Sequence, residues 1–239
     1  QIILAINALL KFKAYTLINV LGLACSLACV LTVARYIHQE NTANQCFPEY
    51  KRICLIKTST SSGENFLGGY RSGLEKNPDV EQFTVIYQIS DMPALFGEQE
   101  IAANAFSVDS TFFKIFPYRV IAGSGRIVRP RDVVITRSFW KKKLGGKNAI
   151  GATFKNTKGN KFTIIGVVDD PDTKTSWMPD IFMSDELDEF LFFDPIYAML
   201  MAPDTDIALL NKKYSKEHPR SKWTVSYTHL RAHETLANL

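Results

Sequence analysis

The stretch "AYTLINVLGLACSLACVLTVA" at residues 14–34 decides how this chain is organised, because none of its residues is charged. A helix of this length is about 31 Å long at ~1.5 Å per residue, which matches the roughly 30 Å hydrocarbon core of a bilayer. A buried helix of a soluble domain normally keeps a polar stripe, and this run leaves little room for one. A cleaved export signal has a shorter apolar core of ~7–15 residues before a small-residue cleavage site. The run therefore favours a transmembrane helix over residues 14–37, with an export signal and a core helix as the alternatives.

The charges beside the run predict its orientation. Lys11 and Lys13 precede it, and basic residues next to a membrane helix favour the cytoplasmic side. Arg35 at the other end weakens the asymmetry, although long domains cross largely regardless of charge. We therefore expect residues 1–13 to be cytoplasmic and the rest of the chain to be extracytoplasmic.

Small residues within the run indicate contacts with other membrane helices. Such residues allow the backbones of neighbouring helices to approach closely. The candidate packing positions are Gly22, Ala24, Ser26 and Ala28.

The four cysteines fall into two pairs. Cys25 and Cys29 lie inside the apolar run, and Cys46 and Cys54 follow it. A disulfide between Cys46 and Cys54 is possible if that segment is extracytoplasmic, and two unpaired thiols are equally compatible with the sequence. No CxxC or Cys/His spacing of the zinc type is present.

From residue 40 onward the sequence changes to short strands, short helices and turns. We expect strands near residues 83–89, 133–135 and 162–168, a helix near residues 70–76, and a hairpin turn at Gly159-Asn160. Asp109 is a plausible N-cap of a short helix that buries phenylalanines 112, 113 and 116, and Thr136 of a helix that ends near Gly145. Strands and helices without regular βαβ alternation predict an α+β domain over residues 40–223.

No motif indicates catalysis or a cofactor. "LGGKN" at residues 144–148 lacks the first glycine and the final Ser or Thr of a phosphate-binding loop. "VVDDPDT" at residues 167–173 clusters aspartates, but such clusters are typical of solvated turns. A net charge of +4 without a Lys/Arg tract argues against nucleic-acid binding. We therefore expect no enzyme, no metal site and no cofactor.

Several segments resemble the FtsX/MacB-like permeases of ABC transporters, in the form found in Bacteroidetes. "KFKAYTLINVLGLACSLAC" at residues 11–29 is similar to the first membrane helix of that family. "SVDSTFFKIFPYRVIAG", "DVVITRSFWKKKLGGKNAIGATF" and "FTIIGVVDDPDTKTSWMPDIFMS" resemble consecutive segments of its periplasmic core domain, with Gly166, Asp170 and Asp180 retained. Ala149 replaces the usual proline, and "NQCFPEYKRICLI" departs further from the family pattern.

The resemblance implies a permease subunit that lacks its own ATPase. Members couple a separate cytoplasmic ABC ATPase to movement of the periplasmic domain, in antimicrobial or peptide efflux, lipoprotein release or control of cell-wall hydrolases. Expected partners are that ATPase, a second permease copy, a periplasmic adaptor or substrate protein, and membrane lipid. The expected location is the bacterial inner membrane, with the main domain in the periplasm. The alternatives are a single-pass membrane sensor and an anchored extracytoplasmic binding domain.

The C-terminal part of the chain is expected to be incomplete and to end in a non-native tail. Family members carry three further membrane helices after the periplasmic domain, so we expect this chain to be an N-terminal piece of a longer permease with an incomplete core domain. "VSYTHLRAHETLANL" at residues 225–239 resembles translated adapter sequence and is expected to be non-native. The spacing of His229 and His233 would suit two metal ligands on a helix, but the third ligand is lacking.

Overall fold

The computed structural model describes residues 13–59, 76–146, 148–184, 195–210, 212 and 222–227, with only the main chain for 56–59 and 222–227. The chain divides into two compact units, residues 1–42 and residues 43–239. The predicted helix near residues 70–76 lies outside the described residues, apart from position 76.

The described part of the first unit contains one long helix, α1 (Lys13–Asn41), which is four residues longer at its C-terminal end than predicted. Its mean hydropathy reaches 2.3 over an 18-residue window, and none of its residues is buried. By length and composition it could cross a membrane. The hydroxyls of Ser26 and Thr32 donate to the carbonyl oxygens of Gly22 and Ala28, at 2.8 and 2.7 Å. These bonds satisfy both hydroxyls within the helix, which allows it to carry them through lipid.

The second unit is built on a mixed sheet with ten strands in the described residues. The strands are β1 (Ile53–Ser59), β2 (Val80–Phe96), β3 (Gln99–Val108), β4 (Val120–Gly123), β5 (Asp132–Thr136), β6 (Thr153–Lys155), β7 (Lys161–Val168), β8 (Ile181–Ser184), β9 (Pro195–Met201) and β10 (Lys222–Tyr227). Their order is β10-β1-β9-β2-β3-β8-β5-β7-β4, and β6 pairs with both β2 and β7. The β3–β8 and β5–β7 pairs are parallel, and the other described pairs are antiparallel. The described part of the unit also contains two short helices, α2 (Phe112–Ile115) and α3 (Arg137–Lys143), and a helical turn at residues 207–210.

The double pairing of β6 closes part of the sheet into a ring that runs β2-β3-β8-β5-β7-β6 and returns to β2. The long strand β2 makes this possible, because it pairs first with β9 and later with β3 and β6. An irregularity between Ile89 and Met92 contains Asp91, whose φ is +51°. Such a bulge bends a strand and increases its twist.

Alternating side chains of the ring strands form its interior. One hydrophobic cluster contains Met92, Ala105, Ile135, Phe154, Phe162, Ile164 and Met183, and Phe139 of α3 joins it. The rings of Phe154 and Phe162 stack at 5.3 Å between centroids. Because the pleat places successive side chains on opposite faces, Val134 and Phe182 face a second cluster outside the ring.

That second cluster is rich in aromatic side chains. Phe112 and Phe116, at the two ends of α2, pack there with Phe47 and Trp177 against strands β1, β2, β3 and β9. A third, smaller cluster contains Cys54, Val85, Tyr197, Met199, Met201 and Leu210.

Most of the local predictions are confirmed, but Phe113, which was expected to be buried with Phe112 and Phe116, is only partly buried. Thr111 occupies the N-cap position of α2, and Asp109, two residues earlier, satisfies the N–H groups there, because its Oδ1 accepts from the backbone N–H groups of Thr111 and Phe112 at 2.9 and 3.1 Å. The hydroxyl oxygen of Thr136 accepts from the N–H of Phe139 at the start of α3. Gly159 has a φ of +79° in the turn between β6 and β7. The three predicted strands correspond to β2, β5 and β7, and the mixed α+β architecture follows from these elements.

The last described strand overlaps the predicted tail. β10 pairs antiparallel with β1 and includes residues 225–227. Residues 228–239, including the two histidines, lie outside the described residues. The non-native origin of the tail remains a prediction.

Candidate functional site

The predicted packing positions of α1 lie on two different helix faces. Gly22 and Ser26 are separated by four residues and share one face, and Ala24 and Ala28 share another about 200° away. All four side chains are exposed, and a β-carbon added to Gly22 would meet nothing within 4 Å. The helix therefore presents two small-residue faces, and their role in packing remains a prediction.

The chain enters the sheet domain through a buried asparagine. Asn44 follows the last residue of α1 by three positions, is only 3% exposed, and has a φ of +64°. Its N–H donates to the carbonyl of Lys174 at 2.8 Å. Its Oδ1 accepts from the hydroxyl of Thr175 at 2.8 Å and from the N–H of Ser176 at 2.9 Å. Three hydrogen bonds thus join the start of the domain to residues 174–176.

Aromatic side chains support both partners of this junction. The ring of Phe47 contacts those of Phe116 and Tyr118 edge-on, at 5.0 and 5.6 Å between centroids. Trp177, which follows residues 174–176, also packs on Phe116, with 5.0 Å between the ring centroids. The hydroxyl of Tyr118 donates to the carbonyl of Trp177, and burial raises the pKa of Tyr118 well above its usual value. Residues 44–47 and 173–177 are therefore fixed to the same cluster.

The two cysteines of the proposed disulfide are free thiols in the structure. Cys54 is fully buried in the third cluster, whereas Cys46 packs half-buried against the second. The two thiols thus lie against separate clusters, and a disulfide between them stays a prediction. Burial raises the pKa of Cys46, and it raises that of Cys54 to about 12.

The aspartates after β7 make structural contacts. Asp169 accepts from Arg119 at 2.9 Å and pairs with Arg137 at 2.9 Å. The hydrogen bond from Arg119 holds the pKa of the Asp169 carboxyl below its usual value. Asp170 accepts from the N–H of Ser138 at 3.1 Å and from its hydroxyl at 2.7 Å, at the start of α3.

Asp180 lies just before β8 and links this strand to β3 and β5. Its carboxylate accepts from the N–H of Asn104 at 2.9 Å, its own N–H donates to the Asn104 carbonyl at 2.7 Å, and its carbonyl accepts from the N–H of Thr136 at 3.1 Å. It therefore fixes the alignment of β3, β5 and β8. The residues highlighted by the family resemblance hold the fold together.

A groove of about 560 Å³ lies beside α2. Phe113, Ile127 and Val128 provide apolar surface, and Lys114 and Arg126 provide positive charge. Within the described ranges, no group of three or more His, Cys, Asp or Glu side chains is placed to hold a metal ion.

The family profile of the MacB-like periplasmic core domain matches residues 16–213. The chain belongs to this family. The match includes most of α1 and most of the sheet domain, and the family consists of permease components of ABC-type transporters. No curated protein sequence matches the chain.

Three solved structures of transporter domains share the fold of this MacB-like domain. A domain of a permease protein from Porphyromonas gingivalis has a TM-score of 0.61 at 18% identity, over 76% of this chain and 92% of the other. The periplasmic region of MacB from Actinobacillus actinomycetemcomitans has a TM-score of 0.62 at 15% identity, over 82% and 96%. The extracellular domain of the noncanonic ABC-type transporter YknZ from Gram-positive bacteria has a TM-score of 0.57 at 15% identity, over 73% and 99%.

Sequence reasoning missed the junction at Asn44. One signal was available, because asparagine tolerates the left-handed backbone conformation and such residues often follow a helix. Its partners, about 130 positions later, could not be identified from the sequence. The ion pairs of Asp169 were missed for the same reason.

Proposed function

We propose that this chain is the permease subunit of an ABC transporter that couples a separate cytoplasmic ATPase to movement of a periplasmic domain. The movement serves export or mechanotransmission, of the antimicrobial or peptide efflux type or the lipoprotein release type. The observation that carries the proposal is the single family match from residue 16 to residue 213, which joins the apolar helix to the sheet domain. An export signal would be unrelated to the domain that follows it.

The chemistry of the described residues supports a mechanical role. The sheet domain has a closed ring with an apolar, buried interior, and its family-like aspartates act as caps and strand links. A close-packed body of this kind transmits displacement because its interior has low compressibility.

The proposed arrangement in the cell follows from the charges and the helix. Residues 1–13 lie in the cytoplasm, α1 crosses the inner membrane, and residues 43 onward lie in the periplasm, as Lys11 and Lys13 favour. The proposed partners are a cytoplasmic ABC ATPase, a second permease copy in a dimer, and a periplasmic adaptor or substrate protein. Lipid surrounds the exposed apolar side chains of α1.

The test uses the full-length permease in lipid nanodiscs with the ATPase encoded beside it. A spin label replaces exposed Lys158 in the turn between β6 and β7, and distances between the two copies are measured with and without trapped ATP. We expect the distance distribution to shift when ATP is trapped. The proposal is wrong if no ATPase associates with the permease, or if it associates and the distribution stays the same.

A further inference from the structure

We propose that Asn44 is a positioning residue that transmits movement of α1 to residues 173–177 and through them to the aromatic cluster around Phe116. This inference rests on the proposed function and names the residue through which movement of α1 reaches the sheet domain. We call the three hydrogen bonds of Asn44 to residues 174–176 the entry latch.

Asn44 lies close to the end of α1 along the chain. α1 ends at Asn41, so any displacement of that helix reaches the sheet domain through residues 42 and 43. Asn44 is the first buried residue after the helix. A force on the chain therefore acts on a residue that residues 174–176 hold through one backbone and two side-chain hydrogen bonds.

The partners of Asn44 are linked to the domain core in turn. The hydroxyl oxygen of Thr175 accepts from the N–H of Trp177 at 3.1 Å, which orders the turn before the tryptophan. Trp177 is 2% exposed and packs on Phe116. The latch thus ends on the second hydrophobic cluster, which contacts strands of the closed ring through Phe182 and Val134.

The same loop bridges two strands of the ring. Residues 173–177 lie between the end of β7 and the start of β8, and Asp180 fixes the entry of β8 to β3 and β5. A displacement of the loop therefore acts on the ring at β8. The strands on either side of the loop, β7 and β8, are both hydrogen-bonded within the ring, so a displacement of the loop acts on paired strands.

Asn44 has two roles that substitutions can separate: its backbone adopts a positive φ, and its side-chain oxygen accepts hydrogen bonds. A φ of +64° is costly for most L-residues but not for glycine, and asparagine and aspartate visit it more readily than alanine. Asn44→Gly keeps the conformation and removes the side-chain acceptor. Asn44→Asp keeps both the conformation and an oxygen at the Oδ1 position. Asn44→Gly also removes the side-chain NH2 group, and Asn44→Asp restores an oxygen acceptor without that group, so recovery in Asn44→Asp identifies the hydrogen bonds to Oδ1 as the cause.

The first measurement is hydrogen exchange of the full-length permease with its ATPase. The N–H of Ser176 donates to Asn44 Oδ1, so its exchange reports the latch directly. We expect Asn44→Gly to exchange about tenfold faster at Ser176, the loss typical of one hydrogen bond. We expect wild-type exchange in β7, which shows that the domain remains folded. Unchanged exchange at Ser176 in Asn44→Gly would overturn the latch.

The second measurement is the ATP-dependent shift between labels at position 158. A purely stabilising residue would leave this shift intact in a folded variant. We expect Asn44→Gly to reduce the shift severalfold and Asn44→Asp to restore it. Thr175→Val removes one latch bond together with the acceptor of the Trp177 N–H, and we expect it to reduce the shift as well. A full shift in Asn44→Gly with fast exchange at Ser176 would show that the latch does not transmit movement. Absence of any shift in the wild type would instead refute the proposed function itself.

Discussion

Gly166 in β7 and Ser124 after β4 approach so closely that a β-carbon on Gly166 would lie 1.7 Å from the carbonyl oxygen of Ser124. The N–H of Ser124 donates to the carbonyl of Ile165 at 2.8 Å, which draws the two segments together. Gly123 in β4 is equally close to β7: its φ is +68°, and a β-carbon there would lie 2.2 Å from the carbonyl oxygen of Ile165. The outer edge of the sheet thus depends on the absence of side chains at both positions.

Gly166→Ala is expected to destabilise the domain severely. The methyl group would meet backbone atoms, which cannot swing away, so β4 must separate from β7. We expect a loss of about 3 kcal/mol or more, the upper range for overpacking. Thermal unfolding of the purified full-length permease measures the effect.

Gly159→Ala is the matched control. Its φ is +79°, but a β-carbon there would meet nothing within 4 Å. Only the conformational cost applies, which is about 1–2 kcal/mol. Equal destabilisation by the two substitutions would contradict the close contact at Gly166.

The ion pairs of Asp169 predict a specific response to acid. Because Arg119 lowers the pKa of Asp169 in the folded state, the stabilisation is complete above the usual aspartate pKa of about 3.9. It disappears as the pH falls through the lower folded-state pKa. Asp169→Asn should therefore lower the melting temperature at pH 7 and reduce the difference in melting temperature between pH 7 and pH 3.

The exposed Asp172 provides the comparison for this prediction. It lies three positions away in the same turn, and Asp172→Asn should leave both the melting temperature and its pH dependence close to wild type. If Asp172→Asn reproduced the effect of Asp169→Asn, general charge rather than the pairing with Arg119 and Arg137 would be responsible.

The cysteines of the sheet domain should differ in reactivity. The thiolate is the reactive form, and burial raises the pKa of both Cys46 and Cys54. We expect Cys54 to resist maleimide labelling until the protein unfolds, and half-buried Cys46 to react slowly. Mass spectrometry of labelled peptides measures both sites, with Cys25→Ser and Cys29→Ser removing the membrane thiols. A Cys46–Cys54 crosslink in non-reduced protein would contradict the separation of the two clusters.

The elements that sequence reasoning predicted depend on short-range interactions. Asp109 and Thr136 act on backbone N–H groups two or three residues away, and the turn at Gly159 needs only a positive φ. The apolar helix could be predicted from the composition of residues 14–34 alone. Each of these features can be read from neighbouring residues, because the partner lies within one turn of chain.

The closed ring and the entry latch are interactions of another kind. Ring closure needs β3 beside β8 and β6 beside β2, which join residues such as Ala105 and Ile181, or Leu95 and Lys155. Asn44 and Thr175 are 131 positions apart. Many pairings of apolar strands satisfy the same alternation of side chains, so one sequence does not select among them. Their alignment emerges only when the whole core packs.

The remaining prediction concerns the membrane helix. If α1 packs through Gly22 and Ser26, Gly22→Leu adds a bulky side chain at the contact and should reduce assembly of the full-length permease or its transport. Leu23→Ile is the control, because Leu23 lies about 100° around the helix from both Gly22 and Ala24 and already carries a branched side chain. Intramembrane crosslinking and co-purification of the ATPase measure assembly. If both variants assemble and function like the wild type, Gly22 has no packing role. Parallel loss in Ala24→Leu would show that the second small-residue face also contacts a partner, and α1 would then pack between two helices.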